Sequence, residues 1–335
     1  MLLTGLMLFV AFRLAASEDD ADSIDRMPRF HGALRGRYEV AFDDDTRQRF
    51  QLRNARLSIE GLITQNIDWF VQADLCDRGK MKILDVWARF EPLPGLRFQA
   101  GQFRLPFGTD CFKAPANYIF ANRSFIGKNI CNVRGVGAKV AWTHRALTLE
   151  AGAFNPTSIT DQERWCHSLA YAAKGSLALP GGLTLASGFK TVVPDAVRIN
   201  LAGASLSWRH RELTLEGEYI YKHYTRSAHV DAHAWNLWAD YGFPIRRGLF
   251  NRASIQGRWD AMTDHSSGIR NASGRLVTDD SARKRITVGA TLSYLHKVVK
   301  CDFRLDYEKY FYRHGTIPPG PDAADKLCAE VVVKF

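Results

Sequence analysis

Five basic residues between positions 104 and 134 are the strongest candidates for chemistry in this sequence: Arg104, Lys113, Arg123, Lys128 and Arg134. Guanidinium and ammonium groups that face a common space lower the energy of an anion there, and an arginine can hold two phosphate oxygens at once. The pattern therefore indicates an anion-binding site. A second interpretation stays open, in which Arg123 and Arg134 pair with carboxylates on neighbouring strands and hold this stretch of chain in place.

Catalytic and metal-binding patterns are weak elsewhere in the chain. His167 and Ser168 are adjacent, but no GxSxG context or other nucleophile signature surrounds them. The six cysteines form no CxxC pair and no paired His ligands accompany them, which argues against a zinc site. We expect a protein that is not an enzyme, with no catalytic residues, no bound metal and no cofactor.

Composition and the N-terminus narrow the class of protein. The 335 residues carry a formal charge of +10, but the bases are spread along the chain, so we expect no nucleic-acid partner. Residues 1–17, MLLTGLMLFVAFRLAAS, form a short apolar run that ends in small residues and predicts a signal peptide, followed by a short N-terminal segment, 18–28. No later stretch is long and apolar enough to predict a transmembrane helix.

Sixteen segments alternate between apolar and polar residues with the period of a β-strand. In residues 84–91, for example, Leu84, Val86 and Ala88 alternate with Asp85 and Arg89. Most segments hold about nine to eleven strand residues, the span of a tilted strand across a bilayer. The segments are 29–42, 53–62, 67–75, 84–91, 96–104, 134–142, 146–155, 168–179, 182–193, 199–208, 212–223, 232–243, 251–262, 285–295, 299–311 and 326–335.

The connections between these segments alternate in length. If the first connection counts as long and the next as short, short polar turns and longer links with Gly or Pro follow one another to the C-terminus. Soluble β-sandwiches have no reason to sort loop lengths in this way. We therefore predict an all-β fold, a 16-stranded antiparallel transmembrane β-barrel over residues 29–335, with both termini at the short-turn rim. The terminal strand ends on Phe335, as is typical of barrels that an assembly machinery inserts into the outer membrane.

Several motifs resemble one known family, the phosphate-selective porins O and P of Gram-negative outer membranes. They are LRNARLSIEGLI at 52–63, DVWARFEPLPGLRFQAGQFRLPFG at 85–108, FANRSF at 120–125 and NVRGVGAKV at 132–140. Arg104, Arg123 and Arg134 fall on these motifs, whereas Lys113 and Lys128 are included only for their place in the long connection.

The resemblance implies a bacterial outer-membrane porin whose third long loop, about 105–133, folds into the lumen and narrows it. It implies passive diffusion of small anions, with phosphate suspected, through a constriction to which Arg104, Arg123 and Arg134 contribute. We expect Lys113 and Lys128 to contribute as well, from their place in the loop. It further implies a homotrimer, outer-membrane lipids as surroundings, and recognition of Phe335 by the barrel assembly machinery. Alternatives are a general, weakly selective or cation-preferring porin and, less favoured, an outer-membrane hydrolase or an adhesin. Cys111 and Cys131 lie in the same long loop and could form a disulfide in an oxidising compartment.

Overall fold

The structure is a computed structural model that describes residues 26–131, 134–194, 197–268, 270–313, 318 and 320–335, apart from the side chains of Pro115, Arg246 and Arg247. The expected signal peptide, residues 1–17, lies outside the described residues, as does the following stretch up to residue 25. Within the part of the chain that the structure describes, no helix is long and apolar enough to cross a membrane.

In the described residues, sixteen antiparallel strands form one closed barrel, in which each strand pairs with its neighbours in sequence and β1 pairs with β16. The strands are β1 (Arg29–Phe42), β2 (Arg47–Thr64), β3 (Ile67–Asp77), β4 (Lys80–Leu93), β5 (Leu96–Arg104), β6 (Arg134–His144), β7 (Leu147–Phe154), β8 (Ala170–Leu179), β9 (Leu183–Val192), β10 (Ile199–His210), β11 (Leu213–Tyr224), β12 (Ala232–Arg247), β13 (Phe250–Met262), β14 (Arg283–His296), β15 (Val299–Tyr312) and β16 (Asp325–Lys334). Single helical turns occur at Asp110–Phe112, Pro115–Asn117, Ile126–Ile130, Pro180–Gly182 and Thr225–Ser227. The predicted fold is confirmed.

The strands bury their polar residues and expose their apolar ones, the reverse of a soluble protein. On β15, Asp306 and Glu308 are fully buried, whereas the residues that precede them in sequence, Leu305 and Tyr307, are exposed. Such an apolar outer face suits hydrocarbon, and the polar inner face suits a water-filled interior. Aromatic residues, among them Trp142 and Phe243, are exposed on the outer face, as expected for an interfacial girdle.

One rim of the barrel carries only tight turns, while most links at the other rim are longer. The tight turns are 65–66, 94–95, 145–146, 180–182, 211–212, 248–249 and 297–298. The links at the opposite rim are 43–46, 78–79, 105–133, 155–169, 193–198, 225–231, 263–282 and 313–324.

The expected alternation of link length is wrong for the first two links of the long-link rim, 43–46 and 78–79. Both are short because β2 and β4 begin several residues earlier than the sequence pattern indicates. Arg78 and Gly79 have φ angles of 56° and 86°, the left-handed values that a two-residue hairpin turn with matching twist requires.

The barrel closes between β1 and the C-terminus. Phe335 and Gly32 exchange backbone hydrogen bonds of 3.1 and 2.9 Å. The Phe335 ring lies over Gly32, where a β-carbon would approach its Cζ to 2.1 Å. Glycine at position 32 therefore leaves the room that the terminal aromatic ring occupies.

Candidate functional site

The 105–133 segment, which links β5 to β6, contacts strands around most of the ring. Backbone N–H groups of the segment donate to three buried carboxylates: Thr109 to Glu218 on β11 at 2.7 Å, Phe125 to Asp260 on β13 at 2.9 Å and Ala121 to Asp306 on β15 at 2.6 Å. A carboxylate that accepts from a backbone N–H forms a charge-assisted bond, which fixes the backbone more firmly than a neutral contact.

Inward arginines bind the carbonyl groups of the same segment. Arg35 and Arg37 on β1 both donate to the carbonyl of Ala121, each at 2.7 Å. Arg258 on β13 donates to the carbonyl of Asn122 at 2.8 Å, and Arg285 on β14 donates to that of Arg123 at 2.6 Å. The wall therefore holds residues 121–125 from one arc of the ring, which runs from β13 through β15 to β1.

Apolar side chains fix the start and end of the segment. Leu105, Phe107, Ile126 and Ile130 are buried in one cluster with Phe154 of β7 and residues of β8 to β13. A buried side chain of this size contributes roughly 1.5–3 kcal/mol. The segment is thus anchored at its ends by apolar packing and in its middle by charged hydrogen bonds.

Three of the five candidate bases are occupied by protein groups. Arg134 forms a two-point ion pair with Asp85 on β4, at 3.0 and 2.9 Å. Lys113 pairs with Glu216 of β11, and its ammonium lies 4.6 Å from the ring centre of Trp238. Arg104 donates to the backbone carbonyls of Cys111 and Lys113, so it fixes the first turn of the segment.

Arg123 and Lys128 carry no carboxylate partner among the described residues. The Arg123 guanidinium stacks 5.0 Å from the ring centre of Tyr118. Lys128 is accessible to solvent, but the surrounding protein still removes part of the water around its ammonium group. This desolvation, followed by the charges of Arg283 and Arg285, lowers the pKa of Lys128. The pinning interpretation therefore fits Arg134 and does not fit Arg123.

Two cavities lie against the segment. The larger, about 930 Å³, is lined by residues 121–123, 125 and 128–129 of the segment and by residues of the long links, including Ser158, Asp280 and Asp322. The smaller, about 230 Å³, is lined by residues 116–119 and by strand ends at the short-turn rim, including Lys300 and Lys334. The two cavities thus approach the segment from opposite rims.

The lining of the larger cavity is strongly basic. Its carboxylates are Glu39, Asp77, Asp280 and Asp322, against thirteen cations among the described residues. The cations are Arg35, Arg37, Arg49, Arg53, Arg56, Arg78, Lys82, Arg123, Lys128, Arg134, Arg283, Arg285 and Lys326. Many are ion-paired, some with lining carboxylates, as Arg53 is with Asp77 at 2.8 Å, and others with carboxylates behind the lining, as Arg56 is with Asp74 at 3.0 Å. The remaining excess of positive charge comes from the cations without such a partner among the described residues, Arg123 and Lys128 among them.

The alternation of apolar and polar residues did not predict that Arg49 and Arg53 of β2 line the cavity, because a β-bulge interrupts that alternation. Arg35 pairs with Asn54 and the next residue, Gly36, pairs with Leu52, so Arg53 is the extra residue of a β-bulge. A bulge reverses the parity of the strand beyond it, which turns Arg49 and Arg53 toward the cavity together with Asn54. The register shift is invisible in the sequence of one strand alone.

Comparisons with known proteins support the same fold. The family model "Phosphate-selective porin O and P" matches residues 29–180. No curated relative matches the chain.

Solved structures of similar fold include the anion-selective porin from Comamonas acidovorans, with a TM-score of 0.66, 12% identity, and coverage of 93% of this chain and 99% of that one. OmpF of Salmonella typhi, solved with daunomycin, has a TM-score of 0.65 and 12% identity over 92% and 98% of the two chains. OmpT of Vibrio cholerae, in its trimer form, has a TM-score of 0.60 and 10% identity over 92% and 99%. At such low sequence identity, these comparisons show similarity of the fold alone.

Proposed function

We propose that this chain, whose residues 29–180 match the model of the phosphate-selective porin O and P family, is a bacterial outer-membrane porin and a passive diffusion channel that prefers small anions. In this proposal the 105–133 segment lies across the lumen and forms the constriction, and Arg104, Lys113, Arg123, Lys128 and Arg134 serve it in different ways. The family and the barrel point to a channel rather than an enzyme, and the proposal assigns the chain no catalytic activity.

The observation that carries the proposal is the imbalance of charge in the larger cavity. Anions gain electrostatic energy wherever fixed cations outnumber fixed carboxylates, and rings of Arg or Lys are a known basis of anion selectivity in pores. Arg123 and Lys128 have no carboxylate partner among the described residues, so their charge is available to a solute. Arg104, Lys113 and Arg134 bind protein groups, which suits them to shaping the constriction.

A general or cation-preferring porin is the competing proposal. It draws support from the paired charges of the wall, such as Glu330 with Arg35 at 2.7 Å and Asp260 with Arg285 at 2.8 Å. Paired charges largely cancel, so the barrel wall by itself gives weak selectivity. The two proposals therefore differ in the effect of the unpaired cations.

We further propose a homotrimer, because the solved Vibrio cholerae OmpT of similar fold is a trimer. Small anions and outer-membrane lipids are the remaining partners, and phosphate is the anion to test first.

The experiment that decides among these proposals is a zero-current potential measurement in a planar bilayer across a KCl gradient. We expect the sign of an anion-selective pore, and a conductance that falls as phosphate is added if the constriction binds phosphate. Anion selectivity without phosphate block removes the phosphate site, cation selectivity favours the competing proposal, and the absence of conductance favours a hydrolase or an adhesin.

Variants assign the selectivity to particular residues. Arg123→Gln and Lys128→Gln are each expected to lower the anion-to-cation permeability ratio about sixfold. A unit charge about 8 Å from an ion in water is worth about 0.5 kcal/mol, and its removal raises the energy of an anion and lowers that of a cation by this amount. Lys139→Gln is the matched control, because Lys139 already pairs with Glu150 at 2.6 Å and does not line the cavity. An equal shift in all three variants would contradict the assignment.

A further inference from the structure

Two cysteines of the 105–133 segment lie beside each other although twenty positions separate them in sequence. Cys111 lies in the Asp110–Phe112 turn, and Cys131 follows the Ile126–Ile130 turn. A β-carbon added at Gly108 would lie 3.2 Å from the Sγ of Cys111 and 3.1 Å from the Sγ of Cys131. Both sulfur atoms therefore flank the same point above Gly108.

Gly108 has a φ of 79°, a left-handed value that glycine adopts without strain. This conformation turns the chain back after Phe107 and brings Cys111 close to Cys131, near the end of the segment. A larger residue at position 108 would meet both sulfur atoms and the Glu218 carboxylate, 3.2 Å away. Glycine here thus permits the two thiols to approach.

The surroundings of the pair exclude competing partners. Cys111 is 1% exposed and Cys131 is 5% exposed, and both belong to the apolar cluster that anchors the segment. Among the described residues, the thiol of Cys111 donates to the carbonyl of Phe107 at 3.1 Å. Burial and the neighbouring Cys111 thiol raise the pKa of Cys131, so the folded dithiol is a poor nucleophile at neutral pH.

We propose that Cys111 and Cys131 form an intramolecular disulfide that closes the constriction segment into a covalent loop. Residues 112–130, with Lys113, Arg123 and Lys128, lie within that loop. A porin passes through the oxidising compartment below the outer membrane before it folds, and the thiols are accessible there.

The reaction is a thiol–disulfide exchange with a disulfide oxidant of that compartment. The thiolate of one cysteine attacks the oxidant and forms a mixed disulfide, and the thiolate of the other cysteine then displaces it. One Sγ–Sγ bond forms and the bond between the oxidant's two sulfurs breaks. The oxidant takes up the two protons and two electrons of the cysteine thiols and is released as two thiols.

The test is peptide mapping of the full-length porin extracted from outer membranes in denaturant with N-ethylmaleimide and no reductant. We expect a Cys111–Cys131 linked peptide, two hydrogens lighter than the two thiol peptides together, in more than nine-tenths of the chains. Cys328 is the matched control, since it is fully buried but contacts Glu39 and Asn122 rather than a thiol; it is expected to carry the maleimide label.

A preparation that arrives reduced is unfolded in urea and refolded into detergent in a buffer of oxidised and reduced glutathione, and the same linked peptide is then expected. Maleimide-labelled Cys111 and Cys131 after this refolding, or either cysteine linked to a different partner, would overturn the proposal. Cys111→Ser is expected to release Cys131 for labelling without linking it elsewhere. The readout is independent of ion selectivity, so the cross-link and the proposed function can fail separately.

Discussion

At the scale of single residues, the five candidate bases divide by what already satisfies their charge. Asp85 neutralises Arg134, Glu216 neutralises Lys113, and backbone carbonyls occupy Arg104. Arg123 and Lys128 have no carboxylate partner in the part of the chain that the structure describes, and Lys128 also faces the like charges of Arg283 and Arg285. A base without a carboxylate partner acts on a passing ion more strongly than a neutralised one, so position in sequence is a poor guide to importance.

The lowered pKa of Lys128 makes the proposed anion preference sensitive to alkaline pH. A lysine whose pKa is lowered loses its proton at a lower pH than the usual value of about 10.4, so its charge is present at neutral pH and disappears first as pH rises. We expect the anion selectivity to fall as pH rises through the range just below that value. Zero-current potentials measured at stepwise pH check this, and Lys128→Gln is expected to flatten the profile. A wild-type profile as flat as that of the variant would contradict it.

At the scale of elements, the 105–133 segment depends on a few buried carboxylates that face it from the wall. Asp260 on β13 is fully buried and accepts from Phe125 N–H at 2.9 Å and from Arg285 at 2.8 Å. One side chain therefore joins the segment, β13 and β14. A buried carboxylate in such a network holds geometry, because its loss leaves a buried guanidinium with less compensation.

Asp260→Ala is expected to loosen the segment and lower the free energy of unfolding by about 3 kcal/mol, since a buried charge pair is broken from one side. Urea unfolding in detergent measures the energy, and single-channel current noise reports the mobility of the segment. Asp240→Ala is the control: Asp240 is also buried and pairs with Arg252 at 3.1 Å, but it makes no hydrogen bond to the segment. Equal current noise in the two variants would argue against pinning by Asp260.

At the scale of the whole molecule, closure of the ring joins the two ends of the chain. β1 and β16 pair from Ala33 with Lys334 to Phe42 with Asp325, and Phe335 continues the seam to Gly32. Closure removes the open sheet edges that a membrane does not tolerate. The terminal aromatic ring covers the last pair of this seam.

Gly32→Val is expected to displace the half-exposed Phe335 ring and to destabilise the barrel by about 1 kcal/mol, the low end of the usual cost of overpacking, because the ring can move aside. The same change in a Phe335→Ala background is expected to cost much less, because the ring is gone. Gly36→Val is the control on the same strand, where an added β-carbon meets nothing within 4 Å. Heat-modifiability on gels and urea unfolding measure the folded fraction. An undiminished cost of Gly32→Val without the ring would contradict this account of the seam.

The sequence alone determined the strands wherever the two faces differ in chemistry. Residues 29–42 and 96–104 were predicted to their ends, because an inner polar face and an outer apolar face leave the period of two visible in the chain. The order of the strands followed as well, since each pairs with its sequence neighbours. The family motifs likewise pointed to the long link after β5.

Only the tertiary structure decided which charges are free. The bulge at Arg53 depends on the register between β1 and β2, and the ion pairs of Lys113 with Glu216 and of Arg285 with Asp260 join residues far apart in sequence. Alternation along one strand shows which face a side chain occupies. The partner of a charged side chain depends on the register between strands and on contacts between the 105–133 segment and the wall. Within the described residues, the lack of a carboxylate partner for Arg123 and Lys128 is therefore a property of the folded barrel.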